Sequence, residues 1–195
     1  MVGRPREFDI DQVLNQAMEV FWQKGYEATS MSDLMSATGL HKGSIYQTFG
    51  SKHELFLAAL NRYLKQMHDY KHELLTSAAT PLDGIRAVAH GMIDITDCES
   101  HPPKGCMVIN AVVELAPHDP EVKRTLDAHM ANMRASLIDV VQQAQEANQI
   151  DQSKSPEVVA MLIAIFVSGL GSTLKGPLSK EEAHQLMDEQ LAAVI

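Results

Sequence analysis

The sequence predicts an all-α fold, with a short three-helix unit at the N-terminus and a larger helical body behind it. Three observations lead there. Apolar residues recur at helical spacing in most of the chain. Capping residues (Asp9, Ser30, Ser51, Thr80, Asp119, Ser155 and Ser179) stand directly before those runs. No strand-like alternation and no glycine-rich phosphate loop appears. With 195 residues the chain has material for a sizeable core, as one domain or as two small ones.

Residues 2–7 (VGRPRE) have no periodicity and read as an arm. Arg4 and Arg6 beside Pro5 suit the negative potential of a minor groove, or are incidental charge on a loose terminus. Asp9 then caps a helix with the stripe Ile10, Val13, Leu14, Ala17 and Phe21, ended by Gly25. Ser30 with Asp33 three residues on is a capping box, and Met31, Leu34 and Met35 give the next stripe. Gly39 stops that helix because glycine enters the left-handed region cheaply, and Leu40 pins the turn. A short helix over Lys42–Phe49 buries Ile45 and Phe49, leaving Lys42, Ser44, Gln47 and Thr48 on its other faces. Ser51 and Glu54 open another helix. Two short helices around a tight glycine turn, the second with a polar outer face, make a helix-turn-helix, whose second helix enters a major groove.

The run Gly25-Tyr26, Thr29, Gly39-Leu40, Lys42-Gly43-Ser44-Ile45-Tyr46, Phe49 and Ser51-Lys52-His53-Glu54-Leu55 resembles the DNA-binding domain of TetR/AcrR-family transcriptional repressors. The resemblance covers Phe8 to about Tyr70, and the rest only in length and helical character. It implies phosphate contacts at Thr29, Lys42, Tyr46 and Lys52. Independently of the resemblance, Ser44 and Gln47 suit base edges, since Gln pairs bidentately with adenine, and Gly43 lets the backbone approach DNA closely. One departure is His41, where the family has a small capping hydroxyl. Histidine caps poorly, so it either touches a phosphate or leaves the helix start loose.

From Ser51 an amphipathic helix is expected to about Thr76, with Phe56, Ala59, Leu60, Tyr63 and Met67 inward. Thr80-Pro81 with Asp83, Asp119-Pro120, Ser155-Pro156 and Ser179 with Glu182 mark further helix starts. The intervening helices are expected to bury Ile85, Val88, Met92 and Ile95, then Val122, Leu126, Met130, Met133 and Leu137. The helix from Pro156 to about Ser172 is apolar on nearly all sides, so it is either a core helix or one shared with a partner subunit. The resemblance implies the latter, a four-helix dimer interface from Ser155–Leu174 and Ser179–Val194. Helix-turn-helix proteins also bind paired half-sites, which favours a homodimer.

Eleven methionines are many for this length, and those of the body suit either an adaptable apolar pocket or ordinary core. The candidate effector-contact set is Met92, Cys106, Asn110, Val113, Met130, Met133 and Phe166. The stretch Cys98–Cys106 (CESHPPKGC) holds potential soft-metal ligands, but at no zinc-site spacing, so no metal and no cofactor is expected. Cys106 after Lys104-Gly105 at a helix start suits a thiol switch, against the plainer reading of a buried structural cysteine. No nucleophile motif or acid–base pair supports catalysis.

The net charge of −9 is uneven. Residues 1–72 carry 8 Lys+Arg against 8 Asp+Glu, and the remainder 8 against 17, which argues against nonspecific coating of nucleic acid. No wholly apolar run reaches the roughly 18 residues of a membrane span. Two cysteines make no disulfide framework, and no signal segment is evident, so a cytoplasmic protein is expected. The expectation is therefore a DNA-binding domain over residues 1–50 and an effector-binding, dimerising domain over 51–195. Its partners are double-stranded operator DNA, a second copy of the chain and a small apolar effector. The rivals are a thiol sensor of the same architecture, a helical interaction protein without DNA binding, and a helical enzyme or carrier.

Overall fold

A computed structural model of the chain describes residues 8–96 and 104–195. Arg4, Arg6 and the Cys98–Glu99–His101 group lie outside the described residues. The described residues form nine helices: α1 (Ile10–Lys24), α2 (Met31–Thr38), α3 (Lys42–Phe49), α4 (Lys52–Ser77), α5 (Pro81–Asp94), α6 (Met107–Glu114), α7 (Pro120–Glu146), α8 (Pro156–Thr173) and α9 (Lys180–Val194). They fall into two compact units, residues 1–65 and 66–195, with the boundary inside α4.

In the first unit, Asp9 caps α1 by accepting from the amides of Asp11 and Gln12. Ser30 and Asp33 form the full capping box of α2, and Gly39 ends it in the left-handed region at φ 68°. Phe21 is the hub, packing edge-on to Phe56 at 5.2 Å and stacked with Tyr26 at 6.2 Å. Trp22 meets Tyr63 edge-on at 5.1 Å. Arg62 reaches from α4 to α1, pairing with Asp11 at 2.7 Å and donating to Asn15. Leu34, Ile45, Leu55 and Leu60 are fully buried in the same unit.

The second unit is built on one core drawn from α5, α7, α8 and α9, including Ile85, Val141, Ile163, Leu174 and Met187. Each of these helices starts where the sequence places a cap: Thr80, Asp119, Ser155 and Ser179 all accept first-turn amides. Two details differ from expectation. On α5, Ala89 and Ile93 fill the interior and Ile95 becomes the C-terminal cap, because the helix turns its 3.6-residue face that way. On α7, Met130 is 47% exposed and is not part of the buried stripe. Its neighbour His129 takes the inward position, one turn from Leu126 and one turn from Met133, and its Nε2 is fully buried. By length and a mean hydropathy of 1.6, α8 would suffice to cross a membrane. Val159, Ala160, Ile163 and Leu170 nevertheless pack into the body core, while Val158, Leu162 and Ile165 line an exposed stripe.

Candidate nucleic-acid interface

α3 begins at His41, whose side chain makes no capping hydrogen bond. The carbonyl of His41 accepts from the amides of Ser44 (2.9 Å) and Ile45 (3.1 Å). The amides of Lys42 and Gly43 precede the first intrahelical acceptor, as at any helix start, and point out along the helix axis. A helix start with no capping side chain, placed on the surface, is favourable to an anion.

Ile45 is fully buried and locks the rotation of α3 about its axis. That rotation leaves His41, Lys42, Gly43, Tyr46 and Gln47 exposed, with Ser44 and Thr48 half-buried beside them. Lys42 Nζ lies 5.6 Å from the Tyr46 ring centroid, so the two side chains share one patch. Lys52, in the first turn of α4, stands 4.4 Å over the Tyr26 ring, which limits its freedom and holds its ammonium at the edge of the unit. A β-carbon built on Gly43 would meet nothing within 4 Å. Nothing inside the chain therefore requires glycine there, and the missing side chain leaves space only on the outside.

Thr29 is placed otherwise than the resemblance implies. It is 1% exposed, its hydroxyl donates to the Gly25 carbonyl at 2.5 Å and its amide to the Tyr26 carbonyl at 3.2 Å. Its side chain clamps the corner between α1 and α2 instead of offering a surface hydroxyl. Beside it, the Lys24 ammonium 2.6 Å from Asp33, with help from Ser30, holds the Asp33 carboxyl far below the usual carboxylate range.

In the body, Met92, Met133 and Phe166 are partly buried against the core. Asn110 donates to the Lys104 carbonyl at 3.0 Å, bracing the segment before α6. Cys106 is the N-cap residue of α6 and makes no side-chain capping bond. It packs close to α8, where a β-carbon on Gly171 would come within 3.3 Å of its own. Val113 is 73% exposed and Met130 47%, so both face outward.

Two interior residues were not singled out from the sequence. Lys71 is only 7% exposed, and His129 has its Nε2 buried without a partner among the described residues. A signal existed for each. Lys71 continues the inward stripe Tyr63–Met67 by one further turn, and His129 follows Leu126 by three residues.

Residues 13–59 match the family model for "Bacterial regulatory proteins, tetR family", and residues 81–186 match "Tetracyclin repressor-like, C-terminal domain". An uncharacterized HTH-type transcriptional regulator of Bacillus subtilis, YezE, is 33% identical over 77% of each chain. The HTH-type transcriptional repressor ComR of Escherichia coli is 30% identical over 94% of this chain and 88% of its own. Among solved structures, a cysteine mutant of the TetR-family regulator CifR, bound to 26-base-pair operator DNA, superposes with a TM-score of 0.86. It is 28% identical, over 99% of this chain and 100% of that one.

Proposed function

This chain belongs to the TetR family of bacterial regulatory proteins and is a DNA-binding transcriptional regulator, not an enzyme, and we propose that it is a repressor that leaves its operator when a small effector binds the body. The observation that carries the DNA-binding half is α3. Buried Ile45 anchors it, while Lys42, Gly43, Tyr46 and Gln47 face outward at an uncapped helix start. Residues 1–50 form the reading head and 51–195 the effector-binding and dimerising part.

On this reading Lys42, Tyr46, Lys52 and His41 hold phosphates together with the first-turn amides of α3. Ser44, Gln47 and Thr48 address base edges, and Arg4 and Arg6 reach a minor groove. Two copies join through α8 and α9, as the exposed apolar residues Val158, Leu162, Ile165 and Leu186 favour. In the body, Met92, Met133, Phe166, Asn110 and Cys106 are the residues that meet the effector, a reading supported for the first three by their packing on the core. The exposure of Val113 and Met130 speaks against that role for both. The effector releases DNA only by binding the DNA-incompetent arrangement more tightly. The protein acts in the cytoplasm, where its operator is.

A second reading keeps the architecture and makes the Cys106 thiol the sensor. It is favoured by the placement of Cys106 at the start of α6, with no capping bond made by its sulfur. Fluorescence anisotropy on DNA from upstream of the protein's own gene, with competitor DNA present, tests both. Specific binding abolished by a mild thiol oxidant in the native protein but not in Cys106→Ser assigns sensing to the thiol. Specific binding that ignores the oxidant leaves the body interior as the sensor. Absence of specific binding on this and other promoter fragments overturns the repressor reading.

A further inference from the structure

We propose that the body binds a small organic acid, its carboxylate held between Lys71 on α4 and His129 on α7, its apolar remainder lying along the flanking helix faces. This rests on the effector reading above and changes the ligand's class from apolar to acidic with an apolar tail.

The site consists of two nitrogen bases, neither of which has a hydrogen-bond or ion-pair partner at Lys71 Nζ or His129 Nε2 among the described residues. Lys71 is 7% exposed, and among the described residues no hydrogen bond or ion pair joins it. His129 Nε2 is fully buried and has no partner among the described residues. Both lie in the second unit, within reach of each other's charge, with exposed His68 one turn before Lys71 as a further contributor. Burial pushes the Lys71 ammonium below the ordinary lysine value, and burial followed by these two charges pushes the His129 imidazole down. An unpaired polar atom is costly to bury, and leucine would fill the His129 position without leaving one. Among the described residues no carboxylate of the body answers them, although the chain beyond residue 72 carries 17 acidic residues against 8 basic ones. An acid from outside would supply the missing charge.

The donor set also selects the anion. An ammonium and one imidazole N–H match the two oxygens of a carboxylate. A phosphate dianion would bring further acceptor oxygens than these two donors can meet. The flanks select the rest of the ligand. One turn from Lys71 stand Met67, Leu74 and Leu75, and one turn from His129 stand Leu126 and Met133. Those faces suit an alkyl or aryl group and not a second charge.

Isothermal titration of the intact protein with butyrate, octanoate, benzoate and phenylacetate, each against its primary amide, tests the site. At least one acid should bind about tenfold or more tightly than its amide, the scale of one charge-assisted hydrogen bond. Lys71→Met and His129→Leu should each weaken that acid about tenfold or more. His129→Leu should at the same time raise the melting temperature of the free protein, because it removes a buried polar atom that no described residue partners. No acid binding, equal binding of acid and amide, or a lower melting temperature for free His129→Leu would each overturn the proposal, the last by making His129 a structural residue. Anisotropy on operator DNA separates this from the effector reading. An acid that binds but does not release DNA keeps the site and removes the effector role. Release of DNA by an amide when no acid binds does the reverse.

Discussion

At the scale of single residues, α3 separates what the fold requires from what DNA would require. Gly43 is exposed and a β-carbon there would touch nothing. Gly43→Ala should therefore leave the protein at least as stable, by up to about 1 kcal/mol, since alanine is the better helix former. Operator affinity should nonetheless fall if the backbone at Gly43 meets DNA as proposed, because the added methyl would stand between them. Melting temperature and anisotropy on the same samples check both halves, and parallel losses would make Gly43 a structural glycine. Lys52→Ala and Gln47→Ala should fail differently. The first should weaken all DNA sequences alike and reduce the salt slope by about 1, and the second should relax preference at one base position at a cost of about 1–3 kcal/mol. Equal loss on every sequence for Gln47→Ala would remove it as a base reader. Residue type and spacing suffice to mark Lys42, Gln47 and Lys52 as candidates for DNA contact. They do not reveal that Thr29 is buried, because a threonine looks the same in sequence whether its hydroxyl faces water or the Gly25 carbonyl.

At the scale of elements, helix starts are the most readable features, because a cap is a local matter of one side chain and the next few amides. The Ser30–Asp33 box is made in full, with Ser30 Oγ accepting at 3.1 Å and Asp33 at 2.9 Å. Ser30→Ala should cost about 1 kcal/mol, read as a fall in melting temperature. The acid limb follows from Asp33, whose folded pKa is depressed. Its contribution is complete above the ordinary carboxylate value, about 4, and is lost as pH falls through the lower folded value. Asp33→Asn should lower stability most at neutral pH and flatten the acid limb, so that the two proteins converge as pH falls; an unchanged acid limb would count against this role. Faces of long helices are less readable. α7 offers His129 and Met130 side by side, and hydrophobicity alone selects the methionine, whereas the packed helix turns the histidine inward. One residue is about 100° of rotation, and only the neighbouring helices decide it.

At the scale of the whole molecule, α8 is central to the body core and yet leaves Val158 at 57%, Leu162 at 41% and Ile165 at 61% exposed. Ile165→Asp should convert a dimer to a monomer in light scattering and lower operator affinity, while secondary structure persists. A variant still dimeric would move the interface elsewhere. The body should also carry a pH signature. His129 has its folded pKa depressed by burial and by the Lys71 and His68 charges. Below the ordinary histidine value, about 6.5, the unfolded chain then takes up a proton that the folded one refuses. Stability should fall with acidification from there until the folded value is reached, and urea unfolding of His129→Leu should show that slope reduced.

The sequence by itself determined the all-α class, the caps, the helix-turn-helix with its outward residues, and the apolar character of α8. Each depends on short-range spacing, and chain-local physics decides it. Tertiary structure alone decided which face of each long helix turned inward: Met130 out, His129 in, and Lys71 carried under cover at the end of an apolar stripe. Hydrophobicity ranks residues one at a time, but burial is settled between helices, where a base is tolerated inside if the faces around it fit.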